Sequence, residues 1–315
     1  MATKWSSTET TARPPGVVPW SGEILFGGRS ANFNDPVIGG QVNYATAQLQ
    51  PGSSIKPIVY ASAFERGWNP GTIVMDTATR FPTGNPALPE YTPNNYSGVF
   101  NGAVSVNGAS PIRSICRPKA GLACDTTDHV LDNGETLGYI NSLSESADFY
   151  GIAVALGSGE VQLVEHNGVR HACQQWRLCR AHPVIKVTDA VGNVIYDIND
   201  DPAVSILSKA SKEYAYQVTS ILTDNDSRSL VFGLNNLFGS TQDIPGRPTA
   251  ASGTTEEWRD LRTMGYTTAV AIGVWVGNTN AYGDAVGYLP EKDGIETAGP
   301  ITIANARTPL NARPI

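Results

Sequence analysis

The sequence predicts an α/β fold in which a sheet built from strands near both ends of the chain carries helices on it. Three observations predict it. The run GEILFGG, 22–28, has the pattern of an apolar strand closed by glycines. The run TTAVAIGVWVGN, 267–278, is rich in Val and Ile, with Trp275 in its alternation. Between these ends lie segments with helical signals.

Taken in order, residues 1–16 are polar and proline-rich and read as a disordered lead-in that ends at Pro14, Pro15 and Gly16. Ser53 to Glu65 is a helix, with Ser53 or Ser54 as its N-cap and Gly67 as its stop. From Asn69 to Ala109 the chain is a long stretch of Pro, Gly, Asn and Thr, which predicts ordered loops and short strands; loops of this length tend to carry function. VIKVTDAVGNVIYD, 184–197, reads as a hairpin turning at Gly192 and Asn193. In SKEYAYQVTSILTDN, 211–225, Tyr214, Val218, Ile221 and Leu222 line one helical face, capped by Ser211. No repeat of solenoid type is present.

At 315 residues with 6 Trp, the chain can bury a sizeable core in one large domain or two small ones. A net charge of −7 and the lack of a basic stripe argue against a nucleic-acid partner. No apolar run approaches the roughly 20 residues of a bilayer helix, and MATKWSSTETTARPPG lacks the apolar core of a signal peptide. The cysteines form two local pairs, Cys116 with Cys124 and Cys173 with Cys179, whose spacings fit neither a zinc ribbon nor a redox CxxC. Disulfides, which need an oxidising compartment, and a metal site shared with His129, His166, His171 or His182 are the alternatives they leave open.

The chemistry sits in QLQPGSSIKPIVYASAFERGW, 48–68, where Ser53 and Lys56 provide the sequence's one S-x-x-K spacing. One reading makes Lys56 a solvated first-turn residue. In the other, residues three apart share a helix face, and a desolvated lysine loses basicity and takes the proton of the serine it touches. Ser53 is then the nucleophile, at a helix N-terminus whose N–H groups favour an oxyanion.

QLQPGSSIKPIVYASAFERGWNPGT resembles the nucleophile segment of the transpeptidase domain of class A penicillin-binding proteins. EYTPNNYSGVFNGAVSV (90–106), YGIAVALGSGEV (150–161), VIKVTDAVGNVIYD, TSILTDNDSRSLVFGLNN, GRPTAASGTT, GYTTAVAIGVWVGN and DGIETAGPI (293–301) follow in the family's order. The resemblance covers 17–301 and implies one transpeptidase-like domain there, followed by a tail, 302–315. The implied fold is an α/β/α sandwich with a mainly antiparallel five-stranded sheet flanked by helices, the penicillin-binding transpeptidase or β-lactamase-like fold. The implied activity is serine acyl transfer in peptidoglycan cross-linking, with Ser53 as nucleophile and Lys56 as general base. Its partners would be peptidoglycan stem peptides, with β-lactams as covalent ligands, and no cofactor is implied. The implied location is extracytoplasmic, in the periplasm or at the surface of a bacterium, with membrane attachment only through a segment outside this sequence.

Two family motifs are altered. Where the family has S-x-N, family order gives Ser114, Ile115 and Cys116, so the proton-relay serine remains while Cys116 replaces the amide that holds the substrate backbone. A literal S-x-N at Ser105, Val106 and Asn107 reads as a chance match in a strand-like segment. Where the family has K-[TS]-G-T, this chain has Ala251, Ser252, Gly253 and Thr254. The small residues remain, with Thr254 as the implied second oxyanion donor, but the lysine that pairs with the substrate carboxylate is gone. That loss costs roughly 2 to 4 kcal/mol in the transition state. Arg247, Arg259 and Arg262 are candidate substitutes whose ordinary role is a surface charge. TARPPGVV in place of an apolar first strand predicts that this strand is missing, and 107–130 and 162–182 show little amphipathic order where the family is helical. The readings are therefore a D,D-transpeptidase or carboxypeptidase of reduced efficiency, a serine ester hydrolase on the same fold, or a noncatalytic cell-wall scaffold.

Overall fold

The computed structural model describes residues 10–12, 16–18, 21–27, 32–36, 40–85, 88–92, 99–107, 127–167, 181–200, 212–226, 236, 249–254, 260–267, 270–277 and 298. The strands are β1 (Thr10–Ala12), β2 (Gly16–Val17), β3 (Ile24–Phe26), β4 (Gln48–Leu49), β5 (Ile73–Asp76), β6 (Phe81–Asn85), β7 (Leu88–Tyr91), β8 (Gly102–Ser105), β9 (Val161–Gln162), β10 (Lys186–Thr188), β11 (Val194–Asp197), β12 (Thr249–Thr254), β13 (Leu261–Tyr266) and β14 (Ala271–Gly277). The helices are α1 (Lys56–Glu65), α2 (Thr127–Thr136), α3 (Ala147–Tyr150), α4 over residues 163–167, and α5 (Lys212–Thr223).

The main sheet runs β12-β13-β14-β2-β3, and its pairings are antiparallel. β1 also pairs with β14, so β1 and β2 are two halves of one strand position, which makes five positions in all. Part of the expected lead-in is thus ordered, and the strand expected to be missing is present in two pieces. The register against β14 differs by one residue between the halves, across Arg13, Pro14 and Pro15. Proline has no N–H for a ladder, and the described pairings lie on either side of the Pro-Pro step, through Ala12 and from Gly16. Residues 1–9 and 13–15 lie outside the described residues.

Every residue of β13 and β14 is buried, so both faces of these strands are covered and the alternation around Trp275 does not separate a buried face from an exposed one. Leu261, Ile272, Val274 and Val276 pack with Leu25 and Ala298 in one cluster. Met264 and Trp275 join Tyr44, Leu49 and Leu163 in a second, while Tyr266 and Ala271 belong to the cluster around α1.

Helix α1 is central to this third cluster. Its segment KPIVYASAFE is buried at every position but Glu65, because α2 and α5 both pack on it. Val218, Ile221 and Leu222 of α5 meet it on the face that periodicity predicts, with Tyr214 packed at the edge. The helix stops as expected at Gly67, which has φ +92°. Gly67 N–H donates to Phe64 O at 3.0 Å and Trp68 N–H to Ala63 O at 3.1 Å, the paired bonds of a Schellman stop. The expected hairpin at 184–197 forms as β10 and β11, turning through Gly192. The stretch after Asn69 holds two small antiparallel pairs, β5 with β8 and β6 with β7.

Candidate active site

The site is built on a two-stranded ribbon. Gln48 and Leu49 of β4 pair with Gln162 and Val161 of β9. Antiparallel pairing then forces the residues after β4, Pro51-Gly52-Ser53-Ser54, against those before β9, Leu156-Gly157-Ser158-Gly159. Gly52 N–H donates to Gly157 O at 3.3 Å. Both glycines adopt positive φ, +51° at Gly52 and +85° at Gly157. A Cβ on Gly157 would stand 2.1 Å from Gly52 O, so this crossing needs glycine for both its conformation and its space. The PGSS and LGSG segments are the two arms of one turn.

Gly52–Ile55 forms a 3-10 turn that passes directly into α1, and Lys56 N–H donates to Ser53 O. Side chains three apart eclipse in a 3-10 turn, so Ser53 and Lys56 stand one above the other. Ser53 is half-buried, whereas Lys56 is 2 % exposed. The solvated first-turn reading of Lys56 is therefore wrong: α2 and α5 close over the helix that carries it. The N-cap expectation is also wrong. Neither serine caps α1, whose entry residue Ile55 continues the 3-10 turn in the right-handed helical region.

Ser54 turns inward instead. Its hydroxyl donates to Pro51 O at 2.7 Å and lies 2.8 Å from Nε2 of the buried His166 on α4. The Tyr139 hydroxyl meets the other ring nitrogen, Nδ1, and the two rings stack at an interplanar angle of 17°. From the sequence His166 stands out only as one of four candidate metal ligands, and nothing marks Ser54 as a buried anchor or Tyr139 as a partner of His166. Their contacts span 112 and 27 residues, so no local pattern signals them.

The turn carrying Ser53 packs against β12 and β13. β12 holds Ala251, Ser252, Gly253 and Thr254, and among the described strands it pairs only with β13. Among the described strands β12 is thus the edge of the main sheet, and Ser53 lies in the turn packed on it. In register, Ala251 faces Met264, Gly253 faces Arg262 and Thr254 faces Leu261.

Arg262 is neither a surface charge nor a cation presented at that edge. It is fully buried, and its Nη2 donates to Leu49 O and Val161 O, tying β13 to the ribbon behind the turn. Nε and Nη1 find no hydrogen-bond partner among the described residues. Burial pushes its pKa down to about 10, partly offset by the Asp260 carboxylate. Beside it, Trp275 Nε1 donates to Asp260 Oδ1 at 2.7 Å.

Ser114, Cys116, the other three cysteines, His171, Arg247 and Arg259 lie outside the described residues. Ser105 closes β8, paired with Ile73, and Val106 is buried in the α1 cluster, so the literal S-x-N sits in the small β5–β8 sheet.

No family model matches the chain. It is 27 % identical over 252 residues to penicillin-binding protein 1A of Rickettsia bellii, covering 73 % of this chain and 30 % of that protein. It is 26 % identical over 241 residues to penicillin-binding protein 2D of Bacillus subtilis, covering 73 % of this chain and 32 % of that protein. The chain thus spans about a third of the length of these relatives. Among solved structures, penicillin-binding protein 1A from Haemophilus influenzae superposes with a TM-score of 0.75 at 18 % identity, over 95 % of this chain and 48 % of that one. The PonA1 protein from Mycobacterium tuberculosis, in complex with penicillin V, superposes at 0.70 and 21 %, over 96 % and 78 %. The D,D-transpeptidase domain of a peptidoglycan glycosyltransferase from Eggerthella lenta superposes at 0.69 and 17 %, over 95 % and 78 %. The fold is that of the transpeptidase domain of penicillin-binding proteins, an α/β, β-lactamase-like fold.

Proposed function

We propose that this chain, with its penicillin-binding transpeptidase fold, is a serine acyl-enzyme D,D-transpeptidase or carboxypeptidase of peptidoglycan cross-linking, of reduced efficiency. One observation carries the reading: Lys56 is buried one 3-10 turn from the half-buried Ser53, beside β12, the edge of the main sheet among the described strands. Burial is the condition under which an amine serves as a base.

As the free amine, Lys56 takes the Ser53 proton while Oγ bonds to the carbonyl carbon of a D-alanyl-D-alanine stem. The carbonyl oxygen becomes an oxyanion held by the backbone N–H groups of Ser53 and Thr254. The C–N bond then breaks, and the proton passes through Ser114 to the departing D-alanine amine. A second stem's amine, or water, releases the acyl group. A β-lactam acylates Ser53 by the same attack, opening its ring amide. The β12 edge suits an extended peptide, which would add to it as a strand near Ser252 and Gly253. Cys116, in place of the amide, and Ala251, in place of the lysine, account for the reduced efficiency. Cross-linking of peptidoglycan implies work outside the cytoplasmic membrane of a bacterium, and no described helix is long and apolar enough to cross a membrane.

The test incubates the protein with a fluorescent penicillin and a chromogenic short-chain ester, beside Ser53→Ala and Lys56→Met. Labelling by penicillin that disappears in Ser53→Ala, and slows by roughly two or more decades in Lys56→Met, supports the reading. Ester turnover without labelling transfers it to an ester hydrolase, and silence in both assays to a scaffold. Ala251→Lys should raise the labelling rate; an unchanged rate would remove the missing cation as the cause of inefficiency.

A further inference from the structure

We propose that His166 is a positioning residue for Ser53, acting through Ser54; the inference rests on the acyl-enzyme reading above. The directions of the hydrogen bonds follow from counting protons. Ser54 has one hydroxyl proton, and it goes to Pro51 O at 2.7 Å. The 2.8 Å contact between Ser54 Oγ and His166 Nε2 therefore needs the proton on Nε2. In neutral His166, Nδ1 is then the acceptor, and the Tyr139 hydroxyl donates to it. The result is a one-way chain, Tyr139 to His166 to Ser54 to Pro51, whose three side chains are 2 %, 0 % and 0 % exposed.

Its location gives the chain its task. Pro51 and Ser54 open and line the 3-10 turn, and Ser53 lies between them. Backbone bonds set the pitch of such a turn but leave its rotation about its own axis to side-chain contacts. Ser54 is a fully buried side chain of that turn, and the imidazole of His166 holds its hydroxyl. Rotation of the turn sets where Ser53 Oγ stands relative to Lys56 and to the edge of β12. The stack of the Tyr139 and His166 rings fixes the imidazole plane in turn. Tyr139 follows α2, His166 sits on α4 after β9, and Ser54 precedes α1, so three separate segments jointly orient one hydroxyl. No proton travels along the chain during the reaction.

The test compares His166→Met, His166→Gln, Ser54→Ala and the His166→Met, Ser54→Ala double variant with the parent. The Gln amide places an N–H near the position of Nε2, whereas Met places none. Rapid-mixing acylation with fluorescent penicillin, well below each melting temperature, separates the noncovalent affinity from the acylation step. The expected result is an acylation step slowed by roughly 10- to 100-fold in His166→Met and Ser54→Ala, with affinity nearly unchanged. His166→Gln should recover most of the rate, and the double variant should be no slower than the worse single one. Hydrogen exchange over residues 48–60 should rise in His166→Met and return towards the parent in His166→Gln. A parent-like acylation step in His166→Met, with only its melting temperature lowered, would overturn the proposal. If the parent itself is not acylated, the functional reading fails. The exchange measurement then decides the positioning role, and unchanged protection in His166→Met rejects it.

Discussion

Lys56 and Arg262 are both buried basic side chains, and their surroundings differ. Lys56 opens α1 one turn from the half-buried Ser53, while Arg262 is wedged behind the turn with the Leu49 and Val161 carbonyls at Nη2. A base whose folded pKa, about 10, lies below its ordinary value is a net cost to the folded state at neutral pH. The cost is full below about 10 and fades as pH rises further, towards the ordinary value. The shift corresponds to roughly 3 kcal/mol, of which losing the carbonyl contacts would return about 1. Arg262→Met is therefore expected to raise the unfolding free energy by about 1 to 2 kcal/mol at neutral pH, read by urea melts, with the gap from the parent narrowing above pH 10. Lower stability would mean that the tie to Leu49 and Val161 outweighs the buried charge. The neighbouring Asp260 acts the other way. Asp260→Ala leaves the indole N–H of the fully buried Trp275 unpaired, and should cost about 1 to 3 kcal/mol in the same melts.

At the level of elements, the β4–β9 ribbon brings two glycine-rich segments together, and Gly157 is where the approach is tightest. Gly157→Ala combines a left-handed backbone with a clash on Gly52 O, and the neighbouring atoms are Gly52 backbone, which has little room to yield. It should destabilise the fold by about 2 kcal/mol or more and slow penicillin acylation of the molecules that remain folded. Parent-like stability and labelling would show that the turn slides without consequence. The β10–β11 hairpin is held at its turn by Asp189, whose carboxylate accepts from Val191 N–H at 2.9 Å and from Asn193 N–H at 2.8 Å. The Asn193 side-chain amide, first among the causes, together with these N–H groups holds the Asp189 carboxyl below the usual range. A lowered carboxyl pKa stabilises at neutral pH and loses that contribution as pH falls through the lowered value. Acidification should therefore loosen the hairpin amides in the parent and leave those of Asp189→Asn less affected, as followed by exchange.

At the scale of the whole molecule, the strands that are distant in sequence meet at β14, the central position of the sheet, while the candidate site packs on β12 and β13. Removing residues 1–12 strips β1 from Trp275, Val276 and Gly277. That truncation should lower the urea midpoint while the labelling rate of Ser53 holds, because the site packs on β12 and β13. A collapse in rate at full folded population would couple β1 to the turn.

Much of this molecule was legible locally. The Val- and Ile-rich run became β14, the 3.6-residue pattern became α5, ERGW became the stop of α1, and the Ser53–Lys56 spacing tolerates the change from α to 3-10 geometry because residues three apart share a face in either. These features depend on neighbours within a few positions, so the amino-acid order alone determines them. Whether Lys56 is wet or dry, why Gly157 is glycine, where Ser54 points and what Arg262 touches were settled by contacts spanning tens to hundreds of residues. The proline-interrupted first strand belongs with them, since β14 recruits it from both sides of the Pro-Pro step. Burial and partnership are properties of the surface that arrives from elsewhere in the chain, and only the folded packing supplies that surface.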